Sequence, residues 1–220
     1  MTGQINRGTP FGEKIFEYAS NKNFNNFVEI GTWNGEGSTK CFMDAVLSRT
    51  DESQLYSLEA NIEFFNQSFN YWSFLTMGPA SFQKLFLLYG RIIEVEDLIS
   101  IEEVKKHPIF TEHPWIEWRE RNIKEYNQCE NVLEQLPDEI DVLCLDGGQF
   151  STRSEFNALK ERTKVVMLDD TRTFKTESIR HEILSNPSLW EVVEDNRSQR
   201  HGFMISIKKE YAHMLGGASE

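Results

Sequence analysis

Five short apolar segments constrain the fold of this 220-residue chain more than any other feature of its sequence. Each ends at a glycine or an acidic residue and is followed by helix-like sequence; they are residues 27–30, 55–58, a run within 85–93, 141–145 and 164–168. Short apolar runs that alternate with helical sequence are typical of parallel strands joined by crossovers and covered on both faces. The sequence therefore predicts an α/β fold.

The end of the chain departs from this alternation. Residues 190–194 and 201–207 are predicted strands with no helix between them, and the polar stretch 195–200 is typical of a hairpin loop. We therefore expect a Rossmann-like, doubly wound, mostly parallel sheet of seven strands. It should end in an antiparallel hairpin and carry helices on both faces.

No repeat or linker rich in glycine, serine or proline interrupts the sequence, so we expect a single domain over residues 1–220. Its core should cover 24–208, with a short helix before it and a loose tail over 209–220. The region 62–136 is longer than two plain crossovers need, and we expect it to be enlarged by an insertion.

Helical patterns fill the gaps between the predicted strands. Pro114 can open a helix whose apolar residues recur along one face over 115–136. Thr152 and Glu155 have the spacing of a capping box at the start of another helix. Residues 176–184 are predicted as a further helix that ends before Pro187.

The balance of charge argues against some classes of partner. Acidic residues outnumber basic ones by 35 to 23, and the net charge of −12 disfavours a nucleic-acid backbone. No apolar run approaches the roughly 20 residues that span a bilayer, and the N-terminal sequence has no apolar signal segment. The three cysteines, an odd number, are expected to be reduced. From the charge we expect no nucleic-acid partner, and from the lack of long apolar runs no membrane partner. From the reduced cysteines we expect a cytoplasmic protein.

The strongest motif is VEIGTWNGEGST at residues 28–39, where a predicted strand runs into Gly31, Gly35 and Gly37 and then into a helix that begins near Ser38. Glycines allow a tight turn and a close approach of the backbone to a ligand. The first turn of the helix presents unpaired N–H groups and a partial positive charge. The motif therefore predicts a site for an anionic ligand group.

Two acidic residues narrow the choice of ligand. Glu59 ends the next predicted strand, 24 residues beyond Gly35, where a carboxylate can accept the hydroxyls of an adenosine ribose. Glu29 precedes the first glycine and would suit a ligand with an ammonium group. The glycine spacing, G-x-x-x-G-x-G, also differs from the dinucleotide fingerprint G-x-G-x-x-G.

The segment EIGTWNGEGST resembles motif I of class I S-adenosylmethionine-dependent methyltransferases, with Glu59 in the position of the ribose-binding acid. The order of strands, acids and terminal hairpin over 24–208 also resembles that fold. The resemblance implies S-adenosylmethionine as the cofactor, with the three glycines along its methionine half and Gly90 near its adenine. The full set of residues implied for cofactor binding is Glu29, Gly31, Thr32, Gly35, Gly37, Ser38, Glu59, Gly90 and Asp146.

Acidic residues also follow the fourth and fifth predicted strands, as Asp146 in LDGG and as Asp169 and Asp170 in MLDD. Neighbouring strands lie about 4.8 Å apart, so carboxylates at their ends can converge on one cation such as Mg²⁺. This pattern resembles the metal-dependent O-methyltransferases of the catechol type and related sugar and macrolide enzymes. The resemblance implies Mg²⁺ or another divalent cation bound by Asp146, Asp169 and Asp170, with Asp146 and Asp170 as catalytic residues.

One position departs from the catechol pattern. In that family a basic residue three positions after the first metal-binding aspartate serves as general base, whereas this chain has Gln149. Arg172, Lys175, His181 and His201 are the alternatives for the base, and their spacing does not select one of them.

The resemblance implies methylation of a hydroxyl on a small molecule, such as a sugar or a natural-product intermediate. Two other functions stay open. The missing base and the aromatic residues of the enlarged region also suit a non-catalytic binding or assembly module. A different nucleotide-dependent enzyme, such as a dehydrogenase, is disfavoured by the glycine spacing and by Glu29. The aromatic residues also leave a homodimer contact open.

Overall fold

The computed structural model describes residues 5–75, 84–108 and 112–216. The strands are β1 (Asn26–Ile30), β2 (Gln54–Glu59), β3 (Leu85–Arg91), β4 (Glu130–Asn131), β5 (Ile140–Leu145), β6 (Thr163–Asp169), β7 (Trp190–Asn196) and β8 (Phe203–Lys208). The α-helices are α1 (Pro10–Ser20), α2 (Ser38–Val46), α3 (Ile62–Leu75), α4 (Ile101–Val104), α5 (Glu112–Gln128), α6 (Thr152–Leu159) and α7 (Glu177–Ser185). Short 3₁₀ helices cover Val95–Asp97, Leu133–Gln135, Lys160–Arg162 and Lys209–Gly216.

The strands form one sheet in the order β4-β3-β2-β1-β5-β6-β8-β7. Strands β1 to β6 pair in parallel, whereas β8 runs antiparallel to both β6 and β7. The predicted α/β class, parallel sheet and terminal hairpin are therefore confirmed. Within the described residues the sheet has eight strands rather than seven, because the two polar residues of β4 add an edge strand that carries no apolar signal.

Both faces of the sheet are buried, as a doubly wound fold requires. Successive residues of the central strands point to opposite sides, and each side belongs to its own apolar cluster. One cluster, with α6 and α7, contains Val28, Leu143 and Val166; the other, with α1 and α2, contains Phe27, Val142 and Val165. No helix in the described part of the chain combines the length and apolarity needed to cross a bilayer.

The predicted helix over 115–136 is shorter in the structure. Helix α5 ends at Gln128, and the chain then pairs with the end of β3 through β4. The amide of Val132 donates to the carbonyl of Arg91 at 2.8 Å, and Val132 packs over Gly90. Sheet pairing therefore replaces the last turns of the predicted helix.

The predicted capping box does not form. Thr152 is the first residue of α6, and its hydroxyl donates to the carbonyl of Gly148 at 2.8 Å. Glu155 is buried and accepts a hydrogen bond from the hydroxyl of Tyr126 at 2.5 Å. The carboxylate of Glu155 therefore bonds to Tyr126 on another helix and not to the backbone at the start of α6.

The tail expected to be loose is partly ordered. Residues Lys209–Gly216 form a 3₁₀ helix, and Tyr211 and Leu215 pack against the apolar core. The carbonyl of Met214 accepts hydrogen bonds from the side chains of Asn21 and Asn23 at 3.0 and 2.9 Å. Residues 217–220 of that tail lie outside the described residues, as do 76–83 and 109–111 of the enlarged region.

We predict that Gly35→Ala destabilises the protein by about 1–3 kcal/mol. Gly35 has a φ of +79°, and an added Cβ would lie 2.7 Å from the indole Nε1 of Trp72, which itself donates to the carbonyl of Gly35. Urea denaturation measures the change. Gly216→Ala is the control, because among the described residues no atom outside its chain neighbours lies within 4 Å of its added Cβ. Equal stability of the two variants would contradict the prediction.

Candidate active site

A cavity of about 380 Å³ opens at the carboxyl ends of β1, β2, β5 and β6. The strand order reverses between β1 and β5, and open α/β sheets bind ligands at that point. The volume is in the range of small-molecule sites, roughly 300–1,000 Å³. The sequence-predicted site residues that line this cavity are Gly31, Thr32, Gly37, Ser38, Glu59, Gly90, Asp146, Asp169 and Asp170.

Two of the predicted site residues, Glu29 and Gly35, do not line the cavity. Glu29 is fully buried beneath the glycine turn, and the missing side chain of Gly35 leaves room for Trp72. A cofactor contact for either residue stays a prediction.

Gly31 has a structural role that the motif alone does not reveal. Its φ is +101°, and an added Cβ would lie 2.5 Å from the backbone oxygen of Asp146. The amide of Asp146 donates to the carbonyl of Ile30 at 3.0 Å, which holds the ends of β1 and β5 together. Glycine is therefore needed here for the approach of two strands, and that approach brings Asp146 to the wall of the cavity.

The N-terminus of α2 faces the same cavity. Gly37 is the N-cap, and no side chain caps the helix. Gly37 and Ser38 both line the cavity. Uncapped N–H groups and the positive end of the helix dipole favour an anionic group at this position.

Two backbone amides fix Glu59 at the end of β2. The amide of Trp33 donates to Oε2 at 2.7 Å, and the amide of Asn61 donates to Oε1 at 2.9 Å. Burial raises the pKa of Glu59 to about 7, although these two hydrogen bonds oppose the rise. The carboxyl group is therefore held in one place but is easily protonated near neutral pH.

Glu29 connects β1 to its neighbours below the turn. Its Oε2 accepts hydrogen bonds from the hydroxyls of Thr39 on α2 at 2.6 Å and Ser57 on β2 at 2.5 Å. Ser57 also lies 2.6 Å from the hydroxyl of Thr32. Burial raises the pKa of Glu29 to about 7. These bonds fix the two strands and the helix whose ends form the cavity.

The three aspartates converge, with one oxygen of each within 4.8 Å of the others. The ammonium group of Lys175 contacts Asp146 Oδ1, lies 3.3 Å from Asp170 Oδ2 and 4.0 Å from Asp169 Oδ2. Burial, together with the charges of Asp146 and Asp170, raises the pKa of Asp169 well above its usual value, while Lys175 opposes the rise.

These residues do not fit a divalent ion as the chain stands. Their oxygens are hard donors of the kind that Mg²⁺ prefers, but a buried cation of the chain itself already contacts all three carboxylates. The second oxygen of Asp170, Oδ1, lies 3.9 Å from the guanidinium of Arg200, so this carboxylate has a cation near each of its oxygens.

Of the alternatives for the general base, Lys175 is the one that contacts the aspartates. Arg172, His181 and His201 are exposed and do not line the cavity. Lys175 itself lies behind the carboxylates and is not part of the cavity lining.

One wall of the cavity was missed by the sequence reasoning. Helix α5 contributes Arg121, Asn122, Glu125 and Tyr126. Their spacing places them on one helical face. In the sequence, only the apolar face of this helix was considered, and that face predicts packing against the core. A side-chain hydrogen bond links this wall to the turn after β2: Asn61 Nδ2 donates to Glu125 Oε1 at 2.8 Å.

Comparison with family models and with curated proteins finds no match. Solved structures do match: an O-methyltransferase from Bacillus cereus in complex with SAH has a TM-score of 0.57 and 13% identity, covering 91% of this chain and 82% of that one. The chain has the class I methyltransferase fold.

Two further structures share the methyltransferase fold. TomG from Streptomyces achromogenes, an O-methyltransferase of tomaymycin synthesis in complex with SAM, matches with a TM-score of 0.55 and 14% identity, covering 90% of this chain and 79% of that one. An rRNA methylase from Streptococcus thermophilus matches with a TM-score of 0.52 and 9% identity, covering 91% and 96%. Because the acceptors of these proteins differ in class, the methyltransferase fold alone does not select one.

We predict that Glu29→Gln changes how stability depends on pH. The folded pKa of Glu29, about 7, is raised above the usual value of 4.5, so the folded wild type holds a proton that the unfolded chain releases. Its stability should therefore fall as the pH rises from about 4.5 to 7. Glutamine has no such proton and can still accept from Thr39 and Ser57.

The free energy of unfolding is measured at pH 5 and pH 8 for both proteins. The loss between these values should be smaller in the variant by on the order of 2 kcal/mol. Glu130→Gln, at an exposed residue of β4, is the control. Parallel pH profiles for wild type and Glu29→Gln would refute the assignment.

Proposed function

We propose that the protein is an S-adenosylmethionine-dependent methyltransferase that acts on a hydroxyl of a small molecule, such as a sugar or a natural-product intermediate. The observation that carries the proposal is the single cavity that joins the uncapped end of α2, Glu59 and the aspartates. The fold supports it, because the similar proteins from Bacillus cereus and Streptomyces achromogenes hold SAH and SAM.

The chain offers a complementary group for each part of the cofactor. Glu59 at the end of β2 would accept the ribose hydroxyls, and the N–H groups at Gly37 and Ser38 would bind the methionine carboxylate. Gly90 at the end of β3 lines the adjoining wall, where the adenine would lie. When bound, the cofactor supplies a methyl group on a sulfonium, which is open to attack by an oxygen nucleophile.

Asp146 and Asp170 would act on the acceptor. Both line the cavity, and their carboxylates can accept a hydrogen bond from an acceptor hydroxyl and hold its oxygen toward the glycine turn. With S-adenosylmethionine bound, the methyl group would pass to the acceptor oxygen as its bond to sulfur breaks, leaving S-adenosylhomocysteine as a neutral thioether. The carboxylate of Asp146 or Asp170 would take the hydroxyl proton and return it to water. Fixing the two reactants in one orientation supplies a large part of the rate increase.

Charge supports a small acceptor rather than a nucleic acid. The chain carries a net charge of −12, and the cavity lining contains more acidic residues than arginines. The acidic residues are Glu59, Glu125, Asp146, Glu155, Asp169 and Asp170, and the arginines are Arg91, Arg121 and Arg200. An excess of negative charge disfavours a phosphate backbone. A cytoplasmic location and a homodimer stay predictions. The three cysteines, all free and buried, suit a reducing compartment.

We predict that Glu59→Gln weakens the binding of S-adenosylhomocysteine at least tenfold, which is about 1.4 kcal/mol. The ribose hydroxyls donate to the ionised carboxylate, and the pKa of Glu59 in the free protein is about 7. Wild-type affinity should therefore rise between pH 6 and 8, and the variant should lack this rise. Isothermal titration calorimetry measures both, with the exposed Glu63→Gln as control. Equal affinities of Glu59→Gln and wild type would contradict the cofactor site.

We predict that Asp146→Asn lowers kcat about 10²-fold, because the amide cannot take the hydroxyl proton. Transfer of a labelled methyl group to a panel of sugars, phenols and polyketide alcohols provides the assay. Asp44→Asn is the control, since Asp44 pairs with Lys40 on α2 away from the cavity. Binding of the cofactor with no transfer to any acceptor would favour the non-catalytic module.

A further inference from the structure

Lys175 is a buried cation beside the three aspartates. It lies between β6 and α7, its side chain is 4% exposed, and its ammonium reaches Asp146, Asp169 and Asp170. Each of the three carboxylates therefore has the same cation as a neighbour.

The turn that carries Lys175 is fixed by the aspartates' own backbone. Asp170 has a φ of +58°, which reverses the chain after β6. Its carbonyl accepts bonds from the amide and the hydroxyl of Thr173, both at 2.9 Å. The hydroxyl of Thr176 donates to the carbonyl of Asp169 at 2.6 Å. The turn after β6 begins at Asp169 and Asp170, and it brings Lys175 back into contact with their carboxylates.

Burial makes this arrangement hard to displace. A buried ammonium needs anionic partners, and removing them leaves an uncompensated charge. A divalent ion on the cavity side of the same aspartates would share those carboxylates with Lys175. The two cations would repel each other in a setting where water screens little.

We propose that Lys175 is the resident cation of the Asp146–Asp169–Asp170 cluster and that the protein works without a divalent ion at this position. Lys175 is a positioning residue, because it does not line the cavity. Its charge offsets the repulsion between the carboxylates of Asp146 and Asp170 and holds both in place below the acceptor. The residue thus takes the structural part that an ion has in metal-dependent relatives of the fold.

The proposal also bears on the class of acceptor. A bound metal favours acceptors with two adjacent oxygens that can chelate it. A cluster neutralised from behind by lysine instead presents carboxylates, which need one hydroxyl donor. Acceptors with an isolated hydroxyl are therefore expected to react as well as vicinal diols. This last point rests on the proposed function, whereas the cation assignment does not.

The assignment is tested by metal titration without cofactor or acceptor. Protein treated with EDTA and then dialysed is titrated with MgCl₂, CaCl₂ or MnCl₂, and the melting temperature and the electron paramagnetic resonance signal of free Mn²⁺ are recorded. Wild type should show no saturable change in either. Lys175→Met, which removes the charge at similar length, should gain a saturable rise in melting temperature and deplete free Mn²⁺. The gain should vanish in Lys175→Met with Asp146→Asn.

Two control variants separate charge from folding. Lys175→Arg keeps a cation and should stay insensitive to metal, while Lys160→Met removes a lysine paired with Glu182 elsewhere and should also stay insensitive. If Lys175→Met does not fold, the metal titrations of wild type and Lys175→Arg test the proposal, because both proteins should bind no ion.

Saturable metal binding by wild type that is lost in Asp146→Asn would overturn the proposal. A folded Lys175→Met protein that binds no ion would overturn it too. Neither result depends on S-adenosylmethionine, so failure here is distinct from failure of the proposed function.

Discussion

The approach of β1 to β5 is the constraint on which the site depends. At Gly31 the absence of a side chain lets the backbone of Asp146 come close, and the amide of Asp146 closes the contact at the carbonyl of Ile30. The chain leaves β1 toward one edge of the sheet and leaves β5 toward the other, so a hollow opens above this pair. The glycine turn and the first aspartate are therefore neighbours because two parallel strands share one hydrogen-bonded boundary.

The parts of the site that could be predicted from the sequence are those at strand ends. Apolar runs locate buried parallel strands, and parallel strands place their last residues on one edge; Glu59, Asp146, Asp169 and Asp170 consequently line one cavity. The place of Gly35 in the turn before α2 could not be predicted, because its neighbour Trp72 lies far along the chain on α3. The contact of Lys175 depends on the reversal at Asp170, which spacing alone does not reveal.

Buried carboxyl groups change the charge that a ligand would meet. Burial raises the pKa of Glu59 and Glu155, which both line the cavity, to about 7, so near neutral pH each is partly protonated. Lys175 offsets part of the charge of the aspartates. The floor of the cavity is thus less negative than a count of its acidic residues indicates. A cationic sulfonium and a neutral acceptor can both occupy such a surface.

The first described residue lies at the cavity, whereas the last described residues lie at the opposite end of the strands. Ile5 lines the cavity, whereas the 3₁₀ helix Lys209–Gly216 is bonded through Met214 to Asn21 and Asn23, just before the amino end of β1. Parallel strands separate these locations by their full length. A fluorophore attached within Lys209–Gly216 would therefore lie at the opposite end of the strands from the cavity, whereas one attached at Ile5 would lie in the cavity wall.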